Sequence, residues 1–262
     1  MGLKLAITGK GGVGKTTLAS LLARLYAAEG RPVLAIDADP DANLASALGF
    51  AAEVAARIAP ISGMADLIEE RTGARPGSSG GVFRLNPRVD DIPERFAGEH
   101  AGVRLLLMGG VKKGGGGCVC PESVLLKELI RHLVMERDDV VIMDMEAGVE
   151  HVGRATAMTV DAMLVVVEPG RRSLQTAETI RGLARDIGIR RCYAAGCKVN
   201  GEEERRFIAE NLDVPLLGFL SYSPRIAEAD LKGLAPYDLD PAAVAETRAI
   251  RDRLGELLGR VG

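Results

Sequence analysis

A glycine-rich loop near the start of the chain limits the fold more than any other feature. Residues 9–17, GKGGVGKTT, directly follow the apolar run Leu3–Thr8 and open a segment of helical period at Lys15. Glycines let backbone N–H groups curl around phosphates, and a helix N-terminus adds partial positive charge. The pattern therefore predicts a phosphate-binding loop between a buried strand and a helix.

The same loop contains the side chains that nucleotide binding requires. Lys15 is expected to reach the terminal phosphates, and the Thr16 hydroxyl to hold Mg²⁺. The other loop residues expected to contact the nucleotide are Gly11, Gly12, Val13, Gly14 and Thr17.

Short apolar runs alternate along the chain with longer segments of helical period, which is typical of βαβ units. Most of the runs are apolar at every position, so we expect helices on both faces of a mostly parallel sheet. We predict strands at Leu3–Thr8, Val33–Ile36, Val103–Met108, Val140–Met143, Ala162–Val167, Arg191–Ala195 and Leu216–Leu220. We predict helices at Lys15–Glu29, Asn43–Leu48, Glu122–Glu136, Leu174–Ile187 and Glu202–Asn211, and from Pro241 onward.

The predicted fold class is a doubly wound α/β sheet in a single domain over residues 1–262. Residues 51–102 break the alternation with polar and glycine-rich stretches, which indicates an irregular insertion. Within it, Val82–Leu85 is the expected edge strand.

Composition argues against several classes of partner. The chain has 33 Lys and Arg against 36 Asp and Glu, giving a formal charge of −3, and only 3% of its residues are aromatic. We therefore expect neither a nucleic-acid nor a membrane partner. The first apolar run follows Met1 and Gly2 directly, which leaves no room for a signal peptide and predicts a cytoplasmic protein. Four cysteines do not make a disulfide framework in a chain of this length.

Acidic residues follow two of the predicted strands. Asp37 and Asp39 come after the second strand, and Asp144 comes after the fourth. Because ligands of open parallel sheets bind at the carboxyl ends of the strands, these side chains should converge on the phosphate-binding loop. Asp144 is the candidate Mg²⁺ ligand beside Thr16.

A Cys-x-Cys pair, Cys118 and Cys120, lies between four glycines and an amphipathic helix. Two thiolates supply only half of a tetrahedral shell for a soft divalent metal, so a two-fold dimer would have to supply the other half. A metal ligand role for Glu150 and His151, or a contact of this segment with a partner subunit, is also open. Two unrelated thiols in a loop are the plain alternative, because this spacing alone is a weak signal.

The loop resembles that of the deviant Walker A ATPases of the MinD and ParA type, since Lys10 supplies their second, signature lysine. In that family the signature lysine crosses to the partner's nucleotide, which implies an ATP-dependent homodimer. The resemblance makes Lys10, Lys15 and Asp39 the catalytic residues, with Asp39 orienting the attacking water. It also implies that Asp37 supports the metal shell and that Gly148 senses the γ-phosphate.

Over nearly the whole chain, the sequence is similar to the CooC family of accessory ATPases. The matching stretches are ADPDANL (38–44), NPRVDDIP (86–93), LLLMG (105–109), GCVCPE (117–122), DMEAGVEH (144–151) and EPGRRSLQTA (168–177). This resemblance implies an ATP- and ADP-binding dimer that holds one nickel ion, or zinc, between two Cys-x-Cys pairs. It also implies delivery of nickel to carbon monoxide dehydrogenase.

One position departs from the family pattern. Where the family usually has Asn-Lys to read adenine, this chain has Cys197 and Lys198, followed two residues later by Asn200. Cysteine lacks the paired donor and acceptor of an amide, so Asn200 or the main chain near 222–226 is expected to read the base. The Asp of a guanine-reading motif is absent, which favours ATP.

Two other functions remain open on the sequence. A positioning or partitioning ATPase of the MinD or ParA type would share the loop, but the mixed charges of the terminal segment 242–262 give it no one-sided basic face. An iron–sulfur reductase of the nitrogenase iron-protein type would also share the loop. Its two cluster cysteines lie far apart in sequence, whereas Cys118 and Cys120 are two residues apart.

Overall fold

Strands formed by the predicted apolar runs assemble into one sheet. The computed structural model describes residues 2–77, 82–109, 120–135, 138–147 and 160–259. Within these ranges the strands are β1 Lys4–Gly9, β2 Val33–Ala38, β3 Gly98–His100, β4 Val103–Leu107, β5 Val140–Met145, β6 Ala162–Val167, β7 Cys192–Val199 and β8 Leu216–Ser221. Their order is β3-β4-β2-β5-β1-β6-β7-β8. Every pairing is parallel except β3 with β4.

Helices cover both faces of this sheet. They are α1 Lys15–Ala28, α2 Leu44–Leu48, α3 Ala52–Ala55, α4 Ala65–Thr72, α5 Ile92–Phe96, α6 Pro121–Met135, α7 Arg171–Ile187, α8 Gly201–Asn211, α9 Pro224–Lys232, α10 Pro236–Leu239 and α11 Pro241–Leu258, with a 3₁₀ turn at Ile61–Gly63. No helix among the described residues is both long and apolar enough to span a bilayer.

Alternate residues of each central strand feed two separate cores. In β2, Leu34 and Ile36 join a cluster with α6, α7 and α8, whereas Val33 and Ala35 join a second cluster with α1 and α11. Since both faces are buried, the strand is apolar except at Asp37, which lies near its carboxyl end. The prediction of a doubly wound, mostly parallel α/β domain is confirmed.

The expected edge strand at Val82–Leu85 is wrong. Val82 is 99% exposed and Leu85 is 67% exposed, and the segment is held by a backbone bond from Arg84 to the Thr72 carbonyl of α4. The edge is instead the antiparallel strand β3. A Cβ on Gly98 of β3 would lie 2.3 Å from Ile58 Cδ1, so this strand packs too closely on Ile58 for a side chain at that position.

Most of the unpredicted helices lie in the segment expected to be irregular. Residues 51–102 contain the short helices α3, α4 and α5, and α9 and α10 follow β8. Three of these five have only four or five residues, which is too short for a helical period to be visible in sequence. The parallel strands meanwhile bring the carboxyl ends of β1, β2 and β5 together at one edge.

Candidate nucleotide site

The glycine-rich loop runs from the end of β1 to the start of α1. Gly12 and Gly14 have φ angles of +81° and +105°, which L side chains rarely adopt. A Cβ on Gly9 would lie 2.4 Å from the Val166 carbonyl oxygen of β6. Gly14 is the N-cap of α1, so the free N–H groups of the first helical turn face the loop. This is the anion cradle that the sequence predicts.

Buried side chains pack against the loop on its side toward the sheet. Val13 is fully buried, and Cys197 of β7 is 1% exposed and lies beneath Gly14, where a Cβ on that glycine would be 3.4 Å from Cys197 Cβ. Burial raises the pKa of the Cys197 thiol to about 12. Cys197 therefore acts as an unreactive apolar side chain that packs under the loop, in agreement with its place in a buried strand. Lys198, with φ of +58°, donates from Nζ to the Gly12 carbonyl.

Lys15 is held inside the loop. Its Nζ donates to the Lys10 carbonyl at 3.4 Å and lies 4.0 Å from Asp39 Oδ2, and the residue is only 7% exposed. Lys10 itself is exposed, and none of the described residues forms an ion pair with its ammonium group. One lysine thus faces inward to the phosphate position and the other faces solvent.

Thr16 and Asp144 meet across the sheet edge. Thr16 Oγ1 donates to Asp144 Oδ2 at 2.6 Å, and Asp144 is 1% exposed. Asp144 Oδ1 has no hydrogen-bond partner among the described residues. Burial raises the pKa of Asp144 to about 7; Asp37 and Asp39 add to the rise, while the Thr16 hydrogen bond and Lys15 oppose it.

This arrangement fits a hard cation. A buried carboxylate with an unused oxygen beside a hydroxyl provides the oxygen ligands that Mg²⁺ takes, with water and phosphate oxygens completing its shell. A cation at this point would also remove the cost of ionising Asp144 in a buried position.

Asp37 organises the backbone of the acidic turn. Its Oδ1 accepts from the Asp39 N–H at 3.2 Å and its Oδ2 from the Leu44 N–H at 2.9 Å. Asp37 lies opposite Asp144 in the β2–β5 register. Burial raises its pKa to about 6, and the two backbone bonds oppose that rise. Both carboxylate oxygens accept backbone N–H groups, so Asp37 fixes the conformation of the turn that contains Asp39.

Asp39 lies beside Lys15 at the solvent-exposed side of the site. Its side chain is 18% exposed, Oδ1 accepts from the Asp41 N–H at 3.0 Å, and Oδ2 faces Lys15. A carboxylate that is fixed by its own turn and still open to solvent can orient a water molecule against a phosphate.

The remaining expected residues are only partly described. Gly148, Cys118, Glu150 and His151 lie outside the described residues. Cys120 is half-buried immediately before α6, with Sγ 2.9 Å from Ser123 Oγ. Asn200 is exposed and is the N-cap of α8. Its N–H donates to Glu204, and its side chain makes no hydrogen bond within the described part of the chain.

One contact at this edge was missed by the sequence analysis. Thr8 Oγ1 of β1 donates to the Glu146 carbonyl at 2.6 Å, which ties the loop to the chain following Asp144. The hydroxyl of Thr8 in a strand predicted to be buried was the available signal, because a buried hydroxyl requires a hydrogen-bond partner.

A phosphate-binding loop at the carboxyl edge of a parallel sheet, with carboxylates on the neighbouring strands, defines a P-loop nucleotide-binding protein. The family model of the CobQ/CobB/MinD/ParA nucleotide binding domain matches residues 4–237. The chain is 50% identical over 261 residues to the carbon monoxide dehydrogenase accessory protein CooC of Rhodospirillum rubrum, covering 99% of this chain and 98% of that protein.

Two further comparisons also give nucleotide-binding proteins. An uncharacterized ATP-binding protein of Methanocaldococcus jannaschii is 46% identical, over 95% of this chain and 96% of its own. The structure of the septum site-determining protein MinD complexed with Mg-ADP from Pyrococcus horikoshii superposes with a TM-score of 0.68 at 19% identity, covering 99% and 98% of the two chains, and so shares the fold. The chain belongs to the MinD/ParA class of P-loop ATPases and, within it, to the family of CooC.

Proposed function

We propose that this protein is an ATP-driven nickel metallochaperone that acts as a homodimer in the maturation of carbon monoxide dehydrogenase. The observation that carries the proposal is the 50% identity to the CooC accessory protein, which extends over almost the full length of both chains. The geometry of the loop and its carboxylates supports the ATPase part of this function.

In the ATPase half, the loop N–H groups and Lys15 bind the phosphates. Thr16 and Asp144 would hold Mg²⁺, which neutralises phosphate charge when it is bound. Asp39 orients the attacking water from its position at the solvent-exposed side of the site. Lys10, which is exposed, reaches the nucleotide of the partner subunit and stabilises the charge that develops during transfer.

The surroundings of the loop support a role for Asn200 in adenine recognition. Cys197 is buried under Gly14 and so cannot touch a base. The Lys198 ammonium group donates a hydrogen bond to the Gly12 carbonyl of the loop, whereas Asn200 is exposed. These positions support Asn200 and the backbone after Ser221 as the groups that read the base. Because the Asp of a guanine-reading motif is absent from the sequence, we expect ATP to bind more tightly than GTP in competition.

In the metal half, nickel is cargo held by Cys118 and Cys120 of both subunits. Cys120 directly precedes α6 and is only partly buried, which supports a place near the subunit surface. Four thiolates complete a tetrahedral shell that neither subunit completes alone. Opening of the dimer after hydrolysis then separates the two halves of the shell and releases the ion to the client.

The test is a nickel titration by equilibrium dialysis, with and without ATP. Wild-type protein should bind one ion per two chains, and the ion should favour the dimer because metal and dimer are linked. Cys118→Ser with Cys120→Ser should abolish this binding and leave ATP binding intact. Cys192→Ser is the matched control, because that thiol is also half-buried and lies at the start of β7.

Two results would overturn the metal site. Wild-type affinity in the double variant would move the ligands elsewhere, with Glu150 and His151 as the next choice. Iron with visible absorption in the purified wild-type protein would favour the iron–sulfur alternative.

A further inference from the structure

An arginine-rich cavity lies at the amino ends of the sheet strands, whereas the nucleotide site lies at their carboxyl ends. It has a volume of about 630 Å³ and lies between the end of α7 and the starts of β7 and β8. Its cationic side chains are Arg181, Arg185, Arg190 and Arg191. The nucleotide loop is at the carboxyl ends of the strands, so this cavity, which we call the arginine pocket, is separate from it.

The backbone turn after α7 builds the arginine pocket. Gly188, with φ of +102°, caps α7, and its N–H and that of Ile189 donate back to carbonyls of the last helical turn. Ile189 is 3% exposed and anchors the reversal. Arg181 and Arg185, one helical turn apart on α7, therefore line the pocket together with Arg190, which follows the turn.

The pocket has an excess of positive charge. Two carboxylates, Glu178 and Asp213, share the lining with the four guanidinium groups. None of the four arginines forms an ion pair within the described ranges, and Arg181 donates to the Asp213 backbone carbonyl at 3.0 Å. All four are exposed. One cation suffices to complement the C-terminus of a helix, so the helix dipole does not account for the other three.

The chemistry of the walls identifies the class of ligand. Ile189, Tyr193 and Pro215 give the pocket an apolar component, and arginine with tyrosine is typical of protein interfaces. The volume is much larger than one inorganic anion needs, and guanidinium groups pair with carboxylates in a bidentate way. Cys192 also lines the pocket, but burial raises its pKa to about 11, so it is no nucleophile at neutral pH.

We propose that the arginine pocket is a docking site for an acidic segment of a partner protein, whose Asp or Glu carboxylates pair with the guanidinium groups. Because the pocket is at the opposite ends of the strands from the loop, the partner can bind while nucleotide is present. This proposal does not depend on the metal cargo or on the client of the ATPase.

The test uses a fluorescein-labelled oligoglutamate peptide and fluorescence anisotropy, with saturating MgATP to fill the nucleotide site. Wild-type protein should bind the peptide, with affinity falling as salt rises. Arg185→Glu with Arg190→Glu should weaken binding by at least about tenfold. Arg57→Glu with Arg248→Glu is the matched control, because these exposed arginines lie outside the pocket and the exchange brings the same formal charge, −7 instead of −3.

Any one of four outcomes would overturn the proposal. Wild-type protein could fail to bind the peptide, or both double variants could lose affinity equally, which would indicate only nonspecific attraction. Tripolyphosphate could bind in place of the peptide, which would make the pocket a polyphosphate site. If the glutamate variant fails to fold, Arg185→Gln with Arg190→Gln replaces it, and unchanged peptide affinity in that variant contradicts the proposal.

Discussion

Asp144 combines two properties that a single buried residue rarely has. Its carboxyl group is 1% exposed, yet only one of its oxygens has a hydrogen-bond partner among the described residues. Burial, with help from Asp37, raises its pKa to about 7 from an ordinary value near 4. Between about pH 4 and pH 7, Asp144 of the folded metal-free protein therefore keeps a proton that the same residue has lost in the unfolded chain.

This difference predicts how the stability of the metal-free protein depends on pH. The contribution of Asp144 is fully present below about pH 4 and is lost as pH rises through about 7. Asp37, with a pKa of about 6, acts in the same direction. Asp144→Asn should raise the free energy of unfolding at about pH 8 by on the order of 2–4 kcal/mol and leave it nearly unchanged at about pH 4.

Urea denaturation at the two pH values measures this effect. The Asn variant keeps an acceptor for Thr16 and cannot ionise, so it is the isosteric comparison. MgATP should stabilise wild-type protein at the higher pH and the variant much less. An equally steep pH dependence in both proteins would show that another group is responsible.

The position of Asp39 predicts a kinetic effect without a binding effect. Asp39→Ala should lower the rate of ATP hydrolysis by about a hundredfold or more, because the attacking water loses its acceptor. Nucleotide affinity should change little, since Lys15 and the loop remain, and the ATP-bound dimer should accumulate. Steady-state phosphate release and sedimentation measure the two effects.

Asp41→Ala is the control for this prediction. Asp41 is exposed in the same turn, and only its backbone N–H bonds to Asp39. Its variant should hydrolyse ATP at the wild-type rate, and undiminished turnover in the Asp39 variant would remove Asp39 from the mechanism.

At the scale of elements, one arginine joins three helices behind the loop. Arg24 of α1 is 9% exposed and donates to the Leu48 carbonyl at the end of α2 at 3.2 Å. It also forms a two-point contact with Asp238 of α10, at 3.1 and 2.7 Å, and stacks over the Tyr237 ring at 5.0 Å. The helix that begins at the loop is thereby fixed to the segment that follows the acidic turn.

Replacing this arginine should cost stability. Arg24→Met keeps the aliphatic stem but leaves the Leu48 carbonyl and Asp238 without their donor, so we expect a loss of about 1–3 kcal/mol. Urea denaturation with comparison of m-values separates this loss from a change in the unfolded state. Arg57→Met, at an exposed site, should change stability by less than about 0.5 kcal/mol. Equal losses in the two variants would contradict a specific role for the junction.

At the scale of the whole molecule, the two loop lysines have different surroundings. Lys15 is buried within its own subunit, whereas Lys10 is exposed at the same edge. A cation directed outward from a nucleotide site can act on a second subunit, which is the basis for the proposed ATP-dependent dimer.

Lys10→Ala should therefore bind ATP with near-normal affinity but remain a monomer, and hydrolysis should fall with the dimer. Sedimentation velocity with and without MgATP measures the association. Lys232→Ala removes a lysine paired with Glu228 on α9 and should dimerise normally. A normal ATP dimer of the Lys10 variant would show that the lysine acts only within its own subunit.

The sequence by itself predicted the features that depend on neighbouring residues. The loop at 9–17 needs only its own glycines and the strand and helix that flank it. A strand buried on both faces reads as a mostly apolar run. Apart from Val82–Leu85, the predicted strands followed from these local patterns. The doubly wound sheet and the meeting of Asp37, Asp39 and Asp144 at the carboxyl ends of the strands followed from the patterns and the parallel arrangement.

Only the tertiary structure decided the features that depend on distant contacts. Thr16 meets Asp144 across 128 residues, and Lys198 meets Gly12 across 186. The edge strand is β3 and not Val82–Leu85, and its Gly98 packs so closely on Ile58 that a side chain would not fit, a contact between residues 40 positions apart. The raised pKa of Asp144 likewise depends on tertiary structure, because burial is its main cause. The free energy of such contacts belongs to groups that folding brings together, so no window of the sequence contains it.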